Sequence, residues 1–205
     1  MERSGSSEHW DAVYSTKSID SVSWYQETPT VSLRLIEKSQ AAPASVLDVG
    51  AGASNLVDLL IERNYRVGVL DISETSLNIV RARLGPRASD VTWFVANVTE
   101  FMSPQTWDIW HDRAVFHFLI DAGDRAGYRA ALDSATRPGS MVIIATFGPE
   151  GPERCSGLPT RRYSPADLQA ELGDRYTLLD VEWEAHTTPG GAGQQFVYCR
   201  FRRES

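Results

Sequence analysis

Cysteine is nearly missing from this chain: Cys155 and Cys199 are the only two in 205 residues, and they stand far apart. That argues against a disulfide framework or a cysteine metal cluster and predicts two free thiols in a reducing, cytoplasmic setting. Long apolar runs are missing too, so no segment is expected to span a bilayer. The first twenty residues, Met1 to Asp20, are polar and lack the apolar centre of a signal peptide or an anchor. Cationic excess is also lacking. Acidic residues number 27 against 20 basic ones, a formal charge of −7, which disfavours general binding to nucleic acid or to an anionic membrane. Histidines and carboxylates do not cluster at metal-ligand spacing, so no metal site is expected. Repeats and low-complexity linkers are absent, and the length suits a single domain over residues 1–205.

What is present is alternation. Strand-like and helix-like segments follow one another, which favours a mostly parallel sheet covered on both faces. Strands are expected at about Ser45 to Val49, Arg66 to Leu70, Val91 to Val95, Trp107 to His111 and Met141 to Thr146. Between them lie helices. Thr28-Pro29 can cap and start one that carries Val31, Leu35 and Ile36. Asn55 to Arg63 reads as another, and Ser73 is a plausible cap for a helix with Leu77, Val80 and Leu84 on one face. Tyr128, Ala131, Leu132 and Ala135 mark a further amphipathic helix, and Ser164-Pro165 begins a short one. Tyr176 to Glu184 and Gln194 to Arg202 are β-rich and are joined by a turn-rich loop. They predict a hairpin that closes a seven-stranded α/β sheet with an antiparallel last strand.

The strongest local signal is Asp48-Val49-Gly50-Ala51-Gly52-Ala53-Ser54, an apolar run ending in a glycine turn that leads into a helix. Val67-Gly68-Val69-Leu70-Asp71 follows, a second apolar run ending in a carboxylate. Together they describe a nucleoside-binding βαβ unit, in which small residues admit a ligand to the backbone and the acid accepts from ribose hydroxyls. A nicotinamide dehydrogenase uses the same logic but wants a third glycine for close helix packing, and that position here is Asn55. A non-catalytic nucleoside-binding module remains open on these residues alone.

With these motifs the chain resembles the class I S-adenosylmethionine-dependent methyltransferases, from about Trp10 to Phe201. The resemblance implies a Rossmann-like fold and S-adenosyl-L-methionine as cofactor. It implies that Asp48, Gly50, Ala51, Gly52, Ser54 and Asn55 surround the methionine moiety, that Asp71 holds the ribose, and that Ile72 lies against adenine. Asn97 and Val98 match the segment that reads the adenine edge. The family often has Asp where this chain has Asn97, and an amide oxygen still accepts from the adenine amine. Trp24, within Ser23-Trp24-Tyr25, and the aromatics of His9 to Tyr14 are expected to cover the cofactor or wall the acceptor, or else to pin an N-terminal helix to the core.

Chemistry is expected beyond the carboxyl ends of the fourth and fifth strands, where Trp110-His111-Asp112-Arg113-Ala114-Val115-Phe116-His117 is dense in titratable groups. Methyl transfer is an in-line displacement that needs a positioned nucleophile and sometimes a base. His117 is the first choice for that base, unless it is a hydrogen-bonded core histidine. Asp112 is expected to orient it or to contact the methionine ammonium, and Arg113 to hold an anionic substrate group. The opening Trp-Asp-x-x-Tyr and the Ser-Trp-Tyr look like the small methyltransferase-like group that includes protein-lysine methyltransferases. That group commonly ends its fourth strand in Asp-Lys-Gly, whereas this chain has Asp112-Arg113-Ala114. A small-molecule methyl acceptor is favoured over a protein lysine because the domain is compact and carries no obvious docking insertion. Residues 1–40 read as a cap, and residues 147–163, rich in Gly and Pro, as a lid or substrate loop.

Overall fold

The computed structural model describes residues 6–205 of the chain. Seven strands form one sheet in the order β3-β2-β1-β4-β5-β9-β8. β1 (Ser45–Val49), β2 (Arg66–Asp71), β3 (Val91–Val95), β4 (Ile109–Arg113) and β5 (Met141–Phe147) run parallel. β9 (Gly193–Arg203) is antiparallel to β5 and forms a hairpin with the edge strand β8 (Tyr176–Thr187). β1 and β5 are buried along their whole length. Both faces of a parallel sheet are covered, and strands enclosed in this way read as continuous apolar runs rather than alternating ones.

Two cores result. One lies under α2 (Thr30–Ser39), α3 (Leu56–Glu62) and α4 (Glu74–Leu84), and includes Leu35, Ile36, Val57, Leu60, Leu77 and Val80. The other lies under α5 (Ala122–Ala135) and α6 (Pro165–Leu172), and includes Trp110, Tyr128, Leu132, Leu168 and Phe201. The starts of α4 and α6 follow their sequence signals, whereas α2 begins at Thr30, with Pro29 in the cap position and no side-chain cap from Thr28. The Ser73 side chain accepts from Ser76 N at the head of α4, and Ser164 with Asp167 forms a capping box at α6. Gly85, at φ 56°, ends α4.

Three elements differ from the sequence reading. β4 begins two residues later than expected, at Ile109. Trp107 instead gives its N–H to Ala135 O at the end of α5, and the carboxylate of Asp108 accepts from Ser45 N and Ser45 Oγ. The hairpin strands reach to Thr187 and start at Gly193, longer than expected. The stretch after β5 is not irregular throughout: β6 (Arg154–Cys155) and β7 (Leu158–Pro159) make a small hairpin, and Tyr163 N returns to Phe147 O. At the other end α1 (Ser7–Thr16) forms a separate helix that packs on α4.

Gly68 shows how tightly β2 is packed. A Cβ there would stand 2.3 Å from Cη2 of Trp107, whose ring is itself buried. Forcing extra atoms into a filled core costs about 1–3 kcal/mol. Gly68→Ala is therefore expected to destabilise the chain by about that amount in urea unfolding. Adding Trp107→Leu should cost less in this background than in the parent, because the ring that clashes is gone.

Candidate active site

Asp71 ends β2, and its two oxygens organise the loop that follows β1. Oδ2 accepts from Gly52 N and Oδ1 from Ser73 N, each at 2.8 Å. The loop is also tied by Gly50 N to Leu70 O at 2.7 Å. Gly50 and Gly52 adopt φ of 63° and 52°, a region that only glycine enters without strain. A Cβ at Gly50 would strike Val115 Cγ2, and one at Gly52 would strike the hydroxyl of Tyr14. Burial pushes the Asp71 carboxyl up to about 6, against the two amide bonds that favour its charged form.

A cavity opens at the carboxyl ends of β1 to β4. Its floor is Val49, Gly50, Leu70 and Asp71; Ile72, Ala96, Asn97 and Val98 form one side, and Arg113, Val115, Phe118 and Leu119 the other. Trp10, Tyr14, Trp24, Ala114 and Cys155 complete the lining. Trp10 meets Trp24 and Phe118 edge-on, with ring centroids 5.7 and 5.3 Å apart. These aromatics are carried there by α1, which is latched to α4: Asp11 Oδ1 accepts from Ser73 Oγ at 2.6 Å and from Thr75 N at 3.1 Å. The Ser73 hydroxyl holds the Asp11 carboxyl below its ordinary range. Cys155 reaches the cavity from the β6–β7 hairpin, its Sγ 3.8 Å from Ser23 Oγ. Burial raises its thiol pKa.

A second cavity lies behind the glycine loop and shares Tyr14, Trp24, Gly50 and Arg113 with the first. Asp48, Ala51, Ser54, Ser32 and His111 also line it. Parallel pairing of β1 with β4 sets Asp48 beside His111, and His111 Nδ1 lies 2.7 Å from Asp48 Oδ1. Arg113 separates the two cavities. Its Nε donates to Tyr198 Oη at 2.8 Å and its Nη1 to Trp24 O at 3.0 Å, and the guanidinium lies over the Phe196 ring.

Strand parity corrects the catalytic assignment. Ile109, His111 and Arg113 face the α2–α3 side, while Trp110 and Asp112 face α5, away from both cavities. Asp112 is fully buried: Oδ1 accepts from Val115 N, and Oδ2 from Phe116 N and from Tyr128 Oη at 2.7 Å. Tyr128 in turn accepts from Trp110 Nε1. Desolvation pushes the Asp112 carboxyl up to about 6. Asp112 thus shapes the turn after β4, and touches neither His117 nor a ligand-sized space. His117 lines neither cavity. Its ring is buried beside Phe147, and Nδ1 accepts from Phe147 N at 3.3 Å, so the expected base is a core histidine held neutral. Burial pulls its pKa down to about 3, with Arg113 adding to the shift.

Other expected residues divide. Trp24, Asp48, Gly50, Ala51, Ser54, Asp71, Ile72, Asn97, Val98 and Arg113 line one cavity or both. Gly52 does not, because Tyr14 covers it. Asn55 precedes α3 without a side-chain capping bond, and its Nδ2 donates to Glu27 O, outside the lining. Asn97 Oδ1 is turned to Thr99 N and Thr99 Oγ1, which leaves its amide NH2, not its oxygen, for a ligand. Ser32 carried no sequence signal; it is one serine on an amphipathic helix. Among the described residues no group of three or more His, Cys, Asp or Glu could hold a metal, and no helix is long and apolar enough to cross a membrane.

Residues 46–139 match the family model described as a methyltransferase domain. These residues carry β1 to β4 of a Rossmann-like, methyltransferase-type fold. It is 24% identical over 152 residues to malonyl-[acyl-carrier protein] O-methyltransferase 2 of Ilyobacter polytropus, a match that covers 68% of this chain and 57% of that protein. Among solved structures, one concerned with conversion of a disulfide bond into a thioacetal group during echinomycin biosynthesis aligns with a TM-score of 0.79 and 21% identity, over 97% of this chain and 92% of that one. The 1,6-didemethyltoxoflavin-N1-methyltransferase of Burkholderia thailandensis, solved with S-adenosylhomocysteine, aligns with a TM-score of 0.70 and 22% identity, over 86% and 78%.

His117 has a measurable signature. Its folded-state pKa lies far below the ordinary 6.5, so its contribution to stability is intact above that value and is lost as pH falls and the unfolded chain takes up the proton. Asp71 and Asp112 act oppositely, since carboxyls raised to about 6 contribute below the ordinary 3.8 and lose that contribution as pH rises through 6. His117→Asn keeps an acceptor near Nδ1 but does not titrate. Between pH 7.5 and 5 the parent should lose about 2 kcal/mol relative to this variant in urea unfolding. A parallel pH dependence of the two proteins would place the imidazole in contact with solvent.

Proposed function

We propose that the protein transfers a methyl group from S-adenosylmethionine to a small-molecule acceptor in the cytoplasm, by in-line displacement, and that the two joined cavities hold the cofactor. The observation that carries this reading is the order of residues round the first cavity. A glycine loop, a buried acid one strand away, an apolar neighbour and a polar turn meet at one sheet edge, as a nucleoside requires. Asp71 would hold the ribose, with Ile72 and Val98 against the base and the Asn97 amide at its edge. When bound, the cofactor supplies a methyl group on a sulfonium, a leaving group that needs no protonation. The match to the curated relative covers 57% of its length, so that relative's acceptor is not carried over.

The protein's own share is positioning and exclusion of water. Of the residues lining the first cavity, those with ionisable side chains are Tyr14, Asp71, Arg113 and Cys155. Burial raises the Tyr14 phenol and the Cys155 thiol, and Asp71 is engaged by two amides. No good proton acceptor thus stands by the aromatic wall. Trp10, Trp24 and Phe118 would instead hold an apolar or aromatic acceptor whose nucleophile, a neutral amine or an ionised thiol, arrives ready to react. Holding two groups in reactive alignment in a dry pocket is a sufficient source of rate for such a reaction.

Calorimetry tests the cofactor assignment directly. S-adenosylhomocysteine should bind and NAD should not. Asp71→Ala should weaken binding by about 1–3 kcal/mol, because a charged acceptor is removed from the ribose hydroxyls. A thermal melt of the same variant separates this from loosening of the loop. Unchanged affinity in a folded Asp71→Ala protein would move the nucleoside elsewhere.

A further inference from the structure

Outside both cavities, three arginines converge on one carboxylate. Arg125 and Arg129 stand one turn apart on α5, Arg161 lies in the stretch before α6, and Glu171 belongs to α6 itself. Arg125 Nε lies 2.9 Å from Glu171 Oε1, Arg161 Nη1 3.1 Å from the same oxygen, and Arg129 Nη1 3.2 Å from Oε2. Among the described residues no other carboxylate comes within ion-pair distance of these arginines. Asp167 acts on Tyr163 beside them, but its Oδ2 is already engaged by Ser164 N and Ser164 Oγ. The chain as a whole carries 27 acidic residues against 20 basic ones, so an excess of guanidinium here reverses its general balance.

Two donors beneath the cluster are unmatched. Tyr163 is fully buried, with the Arg161 guanidinium over its ring at 5.0 Å, and its hydroxyl has no hydrogen-bond partner. Burial pushes the phenol up to about 12, so it keeps its proton and can donate; the charges of Arg161, Glu171 and Arg125 also act on it, which places it among them. Arg125 Nε is buried and, although close to Glu171, is not aligned to donate to it. Leaving a buried donor unmatched is unfavourable, and one carboxylate cannot serve three guanidinium forks and a phenol. The side chains of Arg129 and Arg161 are 36% and 40% exposed, so an ion can reach the cluster from solvent. A phosphate group has what is missing: more than one negative charge, and several acceptor oxygens that suit guanidinium forks.

We propose that Arg125, Arg129, Arg161 and Tyr163 form a phosphate-binding site at the rim of the first cavity, with Glu171 as the internal anion that phosphate displaces. The backbone to which these residues are tied fixes its place. Arg125 Nη1 donates to Leu119 O and Ile120 O at 3.0 and 2.7 Å, Arg161 N donates to His117 O at 2.8 Å, and Phe118 and Leu119 line the cavity. The phosphate is either a free ion or the tail of an acceptor whose other end lies against the aromatic wall. The site does not depend on the cofactor reading above.

Calorimetric titration with inorganic phosphate, at constant ionic strength set by sodium chloride and without cofactor, tests the site whether or not S-adenosylhomocysteine binds. The parent should bind phosphate saturably, and Arg129→Gln and Tyr163→Phe should each weaken it about threefold or more. Glu171→Gln removes the competing carboxylate, so it should bind phosphate about threefold more tightly than the parent, and phosphate should raise its melting temperature by more. A cluster that only fastens the loop to α5 and α6 gives a different result: phosphate neither binds nor restores the stability of Glu171→Gln. That result overturns the proposal, as does phosphate binding that Arg129→Gln and Tyr163→Phe leave unchanged. Should Glu171→Gln fail to fold, Arg129→Gln decides, since that side chain stands largely at the surface. Phenyl phosphate separates the two sources on the parent protein. Tighter binding than inorganic phosphate identifies an acceptor's tail and equal binding a free ion; both uphold the site, provided the same variants weaken them.

Discussion

The carboxylate of Asp71 is the tie on which the rest of the site depends. It sits at the end of a buried strand and accepts amide protons from Gly52 in the loop after β1 and from Ser73 at the start of α4. One group thereby fixes two chain reversals that lie 19 and 2 residues away in sequence. Ser73 carries the tie further, because its hydroxyl donates to Asp11 and so seats α1 over the cavity. Holding a carboxylate in so dry a place is unfavourable, as its raised pKa records. The two amide bonds offset much of that penalty, and ribose hydroxyls would add to them.

The second organising constraint is the two-residue period of β4. Its side chains divide between a core on one side and the cavities on the other, and neighbouring residues in sequence therefore do unrelated things. His111 and Arg113 reach the cavity side. Asp112 reaches α5, where Tyr128 and the amides of Val115 and Phe116 consume its lone pairs. The positive φ of Ala114, 76°, then turns the chain sharply, so that His117 folds back among Phe147 and Phe196 instead of following Arg113 to the opening. A cluster that looks like acid–base machinery on paper divides into a cavity-lining pair, His111 and Arg113, and a buried buttress, Asp112.

Arg113 shows how the added strands enter the site. Tyr198 on β9 and Glu184 on β8 hold its guanidinium, and Phe196 lies under it. The closing hairpin is thus more than an edge for the sheet. It also fixes the cation that stands between the two cavities, while Trp24 is held to the same cation through its carbonyl.

Much of this was legible in the sequence because it rests on local rules. The parallel strands read as short apolar runs because both faces are buried. The glycine loop and Asp71 announced themselves by spacing, and the caps at Ser73 and Ser164 by residue type. Strand β4 was misplaced by two residues because Trp107 looks like a strand residue, while only the packed structure shows its ring filling the space over Gly68. Sequence by itself determined the fold class and the glycine loop with its strand-end acid, since hydrophobic period and turn chemistry act within a few residues. Tertiary structure alone decided that His111 pairs with Asp48, that Ser32 and Arg113 meet them, and that His117 and Asp112 do not. Those outcomes depend on which face of a strand a residue occupies and on which distant chain completes its hydrogen bonds.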